Sequence, residues 1–168
     1  MIIYADHRLI MDKITYTKLN IILCIIALLF KVKKAYPVLF VNSLAILTSF
    51  HLGFFLDTTA HDRLLKWINM STFTFWFWNM VVHLVPVIIM YTRAIPILHA
   101  KLFYRNPGFI SAPMHFLWAL FTCKSLNLGN IYIDMKEHHW LAMWVMAALT
   151  HLFVWPLLKR LVVRASNC

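Results

Sequence analysis

The sequence predicts an all-α, polytopic membrane protein with about five transmembrane helices in one bundle, and three observations carry that prediction. Of its 168 residues, 62% are hydrophobic and 13% are charged, against roughly 45–50% and about 25% in an ordinary globular domain. A water-soluble sphere of this size has too little interior to hide so much apolar surface. The charges are also segregated, leaving five uncharged stretches at 19–30, 35–56, 67–92, 106–123 and 138–158. Strand signals are few, with three glycines and no internal repeat, and a helix satisfies its own backbone polar groups in hydrocarbon.

A hydrocarbon core of about 30 Å takes about 20 helical residues. The first stretch has 12; Lys18 and Lys31 at its ends can snorkel, and residues 9–17 can extend it. Basic residues precede it, as in a secretory signal. Lys31, Lys33 and Lys34 follow where small cleavage-site residues belong, so it reads as an anchor. The second stretch (22 residues), the third (26) and the fifth (21) are long enough outright. The fourth has 18 and is interrupted by Pro107 and Pro113. Residues 1–168 are therefore expected to form a single integral membrane domain.

Five spans sort the formal +10 net charge by side. Residues 1–18, 57–66 and 124–137 share one face, with all six acids and seven basic residues. Residues 31–34, 93–105 and 159–168 share the other, with nine basic residues and no acid. The basic, acid-free side belongs in the cytoplasm, which places the N-terminus outside and the C-terminus inside. The charge is then a record of topology, with some attraction to anionic membrane lipid and no call for nucleic acid. Cys24 and Cys123 lie in apolar stretches, Cys168 is terminal, and no CxxC occurs, so neither a disulfide framework nor a thiolate metal site is expected. Asn69-Met70-Ser71 is a glycosylation sequon too near the expected membrane edge for modification.

Polar groups at membrane depth are costly and are the first place to look for chemistry. His51, His83, His115 and His151 fall one in each of the last four stretches. Placing each stretch symmetrically, with a 1.5 Å rise per residue, sets His83 and His151 both about 5 Å to the inner side, the one level-matched pair for a metal or haem. His83 has the richest surroundings. Asn79 is one helical turn before it, on the same face, and Pro86 leaves the Val82 carbonyl without its helical donor. A histidine base needs a nucleophile, and the hydroxyl candidates are Thr15, Thr17, Ser43, Thr48, Ser49, Ser111 and Thr122.

Three short motifs appear in order: Tyr16-Thr17-Lys18-Leu19-Asn20-Ile21, then Asn79, His83 and Pro86, then Leu128-Gly129-Asn130-Ile131-Tyr132. This arrangement resembles the androgen-induced-protein family of membrane threonine hydrolases and related bacterial integral membrane proteins. That family opens its nucleophile helix with Thr-x-x-Asp/Asn and carries its His two helices later, shortly before a Pro. The resemblance implies Thr17 as nucleophile and His83 as base, with Asn20 and Asn79 in support and a lipid (fatty acid) ester as substrate. Thr48 and Ser49, in the adjacent stretch, are backup nucleophiles.

Two other readings stand beside it. One is a non-catalytic structural or interaction protein that packs through its aromatic and Met-rich faces. The other is a redox subunit holding haem or metal through His83 and His151. The hydrolase reading requires no cofactor. With no Walker loop, selectivity-filter motif or Arg-rich span, nothing points to a transporter or channel.

Overall fold

A computed structural model describes residues 16–59, 62, 65, 66, 69–99, 105–125 and 137–165. Among them are five helices and no strand: α1 (Tyr16–Leu29), α2 (Ala35–Leu56), α3 (Thr72–His99), α4 (Gly108–Ser125) and α5 (Glu137–Ala165). The loop motif at residues 128–132, Thr15, and the chain before Tyr16 lie outside the described residues.

Each end has a local cause. The Val32 N–H reaches back to the Ala27 carbonyl at 2.9 Å and the Lys31 N–H to that of Leu28 at 3.3 Å, a Schellman stop with Lys31 in the left-handed position at φ 52°. Pro37 sits in the first turn of α2, where an N–H has no helical acceptor. At its far end, Asp57 Oδ1 accepts from both the N–H and the hydroxyl of Thr59. Ser71 caps α3 by accepting from the Thr74 N–H at 3.1 Å.

Helix α3 starts five residues later than the uncharged stretch at 67–92 and runs past Arg93 to His99. The start is set by the left-handed Asn69 (φ 52°) and the Ser71 cap, neither of which a charge-to-charge reading registers. A single Arg ends an apolar stretch without ending a helix. Pro86 and Pro96 both lie inside α3.

Helix α2 is central, in contact with α1, α3, α4 and α5, and is buried at more than half of its residues. An apolar cluster from Leu39, Phe40 and Val41 of α2, Val87, Met90 and Ala94 of α3, and Trp155 of α5 fills the space beside it. The start of α4 lies so close to α5 that a Cβ on Gly108 would fall on the His151 carbonyl.

Large apolar side chains cover much of the outside, while several polar ones are buried. Phe55 and Phe73 are each 80% exposed, and Leu29, Phe30, Leu117 and Phe153 also face outward. Asn20, Asn42, Asn79, His83, Ser111 and His151 are buried. Three helical segments, Ala35–Leu56, Thr72–Leu98 and Leu141–Val162, are long and apolar enough to cross a membrane, and the shorter Thr17–Leu29 is also apolar.

Candidate functional site

The buried polar side chains form three groups, and hydrogen-bond satisfaction separates them. Between α1 and α2, Asn42 Nδ2 donates to Asn20 Oδ1 at 2.7 Å. Asn20 Nδ2 in turn donates to Ser43 Oγ at 2.8 Å, and Cys24 Sγ stands 3.9 Å from the same hydroxyl. This chain of amides and hydroxyl fixes the register of α1 on α2. Such interhelical polar bonds hold helices where lipid supplies no hydrophobic drive for their association.

Between α4 and α5, Ser111 Oγ lies 2.8 Å from His151 Nδ1, and His151 Nε2 lies 3.1 Å from His115 Nδ1. Ser111 and His151 have no exposed surface, and both ring nitrogens of His151 are engaged. Thr48 and Thr150 hydroxyls are 3.2 Å apart, and each also reaches the carbonyl four residues back. Ser49 donates to the Ala45 carbonyl at 2.6 Å. These hydroxyls do what Ser and Thr commonly do inside apolar helices.

The third group, between α2 and α3, is different. His83 and Asn79 are buried to more than nine-tenths. His83 Nδ1, both side-chain polar atoms of Asn79 and His51 Nε2 are all buried without a hydrogen-bond partner among the described residues. His51 Nδ1 lies 2.8 Å from the Leu47 carbonyl. A carbonyl only accepts, so in the neutral ring Nδ1 carries the proton and Nε2 presents its lone pair. The ring centroids of His51 and His83 are 6.2 Å apart and edge-on. Phe50 stacks on His83 at 4.4 Å, and Trp76 lies 6.1 Å from His51. The arrangement offers two amide N–H donors and two imidazoles behind an aromatic wall. An amide and imidazoles buried unpaired are rare, because each lacks the water bonds it had in the unfolded chain.

Thr17 is half-buried in the first turn of α1, one turn before Asn20, and no hydrogen bond joins it to His83 among the described residues. Asn20 and Asn79 therefore differ in kind: the first is tied to α2, the second is unpartnered. His51 is the member that a motif reading omits. It was visible as a polar residue in an apolar stretch, but only packing sets it beside His83. The structure pairs His151 with His115 and places His83 with His51. Depths taken from centred stretches miss this because Asn106 pins the start of α4 to Leu152. Among the described residues, no group of three or more His, Cys, Asp or Glu is arranged to hold a metal ion. A scan against protein-family models, a search of curated proteins and a search of solved structures each return no match for this chain.

Proposed function

We propose that the chain is a multi-pass membrane protein with five spans, an external N-terminus and a cytoplasmic C-terminus, acting as a threonine/histidine hydrolase of lipid esters centred on His83. Lipid as the surrounding medium is supported by the outward Phe and Leu side chains and by helices that satisfy their own backbone polar groups. The observation that carries the catalytic reading is the unpartnered polar group at His83, Asn79 and His51. Where Asn20, Asn42, Ser111 and His151 bond across helices, these atoms have no partner among the described residues. A polar ligand entering between α2 and α3 would satisfy them, as a few convergent polar groups on an apolar wall do in binding sites.

In this reading Thr17 Oγ1 attacks the ester carbonyl and passes its proton to His83. The alcohol leaves with that proton, and water then cleaves the acyl-threonine by the same route. Asn79 donates to the developing oxyanion. Asn20, held by Asn42 and Ser43, positions the turn that carries Thr17. Catalytic hydrogen bonds commonly tighten only once substrate is bound, and the dyad closes when Thr17 and His83 approach to about 3 Å.

The test is labelling of the purified full chain in proteoliposomes by a fluorophosphonate hydrolase probe. Labelling is expected, and Thr17→Ala and His83→Ala should each abolish it while Ser111→Ala retains it. Persistent labelling in both of the first two variants removes them from the mechanism. Loss in Ser111→Ala alone transfers the nucleophile to the Ser111–His151 pair. A second reading, a non-catalytic packing subunit, is favoured by the full satisfaction of the Ser111–His151–His115 chain; it predicts no labelling of any variant.

A further inference from the structure

We infer that the cavity between the α1–α2 turn and α3 is a binding site for the phosphate headgroup of an anionic lipid. The cavity is a half-open cleft of about 750 Å³, within the size range of small-molecule sites. Lys31 and Lys33 of the turn and Arg93 of α3 line it, together with the hydroxyl-bearing Tyr36 and Thr92. The apolar side chains of Leu28 and Ile89 complete its wall. Three cations suit a phosphate, two hydroxyls suit its remaining oxygens, and the apolar flank suits the start of an acyl chain. Basic pockets between helices on the cytoplasmic side are a recurring way to hold such headgroups.

Two observations set this cavity apart from a merely basic membrane face. Lysines after α1 complement the negative end of that helix, but Arg93 projects from the body of α3, six residues before its end, and owes nothing to α1. Lys31 also occupies the left-handed Schellman position (φ 52°), which ordinarily selects glycine. A lysine held there in strain, at the lip of a cavity with two other cations, matches the pattern of strain retained at ligand sites. Among the described residues the acids are Asp57 and Asp62, which follow the far end of α2, and Glu137 at the start of α5, and none of them lines the cavity.

This inference rests on the membrane placement proposed above and not on the hydrolase chemistry, whose probe labelling is read separately. The experiment measures the thermal unfolding midpoint of the detergent-solubilised full chain with added phosphatidylglycerol, phosphatidylcholine or inorganic phosphate. Phosphatidylglycerol is expected to raise the midpoint in a saturable way, while the other two leave it unchanged. In the double variant Lys33→Gln/Arg93→Gln the apparent Kd for phosphatidylglycerol should weaken at least tenfold. In the charge-matched Lys34→Gln/Lys159→Gln it should change less than twofold. Lys31→Gly should raise the lipid-free midpoint by relieving the left-handed lysine, while weakening the lipid response.

Equal weakening in both double variants, or no response to phosphatidylglycerol, overturns the site in favour of diffuse attraction. An equal shift from inorganic phosphate overturns the lipid as ligand. A chain that stays in the soluble fraction on expression overturns the membrane placement itself, whatever the labelling result.

Discussion

Asn106 Nδ2 donates at 2.7 Å to the carbonyl of Leu152, the group that Pro156, four residues on in the same helix, leaves without an N–H donor. The same Asn106 accepts from the Gly108 N–H at 2.9 Å. One side chain thus caps α4 and repairs a proline gap in α5, which fixes the axial register of the two helices. Within that register the His151 side chain reaches both Ser111 and His115.

Asn106→Ala is expected to destabilise the protein by about 1–2 kcal/mol, the sum of a lost cap and an orphaned carbonyl. Pro156→Ala returns a helical donor to Leu152. In that background Asn106→Ala should lose roughly half of its effect, because only the capping role remains. A double-mutant cycle of thermal unfolding in detergent checks this, and strict additivity would show that the two residues are uncoupled.

The two described glycines in helices with close neighbours should respond in opposite ways. A Cβ at Gly108 meets the backbone carbonyl of His151, which cannot move without shifting α5, so Gly108→Ala should destabilise by about 2–3 kcal/mol or more. A Cβ at Gly53 meets the Met143 sulfur at 2.7 Å, the flexible part of a side chain that can swing aside. There the gain in helix propensity, about 1 kcal/mol, offsets the adjustment, and Gly53→Ala should be near neutral. Unfolding midpoints of the two variants decide it; equal losses would contradict the backbone argument.

Helix positions were legible in the sequence because charge and apolar length are one-dimensional quantities. Ala35–Leu56 matches the stretch between Lys34 and Asp57 residue for residue, and the last stretch lies within α5. The start of α3 was hidden because Ser71 caps it through a hydroxyl inside an uncharged run. The importance of His83 and His151 as buried polar residues, and of the part-buried His51, is equally plain from their apolar neighbours. Their partners are not, because rotation and relative height of helices are set by contacts such as Asn106 to Leu152 and Asn42 to Asn20, which link residues 46 and 22 positions apart. No local pattern encodes which imidazole faces which. Depth alone therefore matches His151 with His83, whereas the structure bonds it to His115.

His151 should be the most sensitive of the four histidines to removal. It is wholly buried and holds both Ser111 and His115, so His151→Ala opens a cavity and removes a hydrogen bond from each, a loss of about 3–5 kcal/mol by analogy with other large buried side chains. Ser111→Ala leaves only His151 Nδ1 unpaired and should lose about 1–3 kcal/mol. The measurement is the chemical or thermal unfolding of purified variants in one detergent. A His151→Ala protein as stable as wild type would remove the hydrogen-bonded chain as the tie between α4 and α5.

Asn79 and Asn20 are both buried amides, one without partners and one with a hydrogen bond on each side, so the same substitution should move their stabilities in opposite directions. Asn20→Leu removes the acceptor of Asn42 Nδ2 and the amide donor to Ser43 Oγ and should destabilise by about 1–3 kcal/mol, the scale of buried hydrogen bonds lost from one side. Asn79→Leu removes unpaired polar atoms without orphaning any described partner. It should stabilise by about 1–2 kcal/mol, the relief of an uncompensated buried amide. If the group around His83 serves a ligand, that added stability should come with lost probe labelling, the exchange expected when a site keeps polar atoms unsatisfied for its substrate. Unfolding midpoints and labelling are read on the same samples. A loss of stability in Asn79→Leu comparable to that in Asn20→Leu would mean that Asn79 is held by the fold, and the distinction between locked and available polar groups would fall with it.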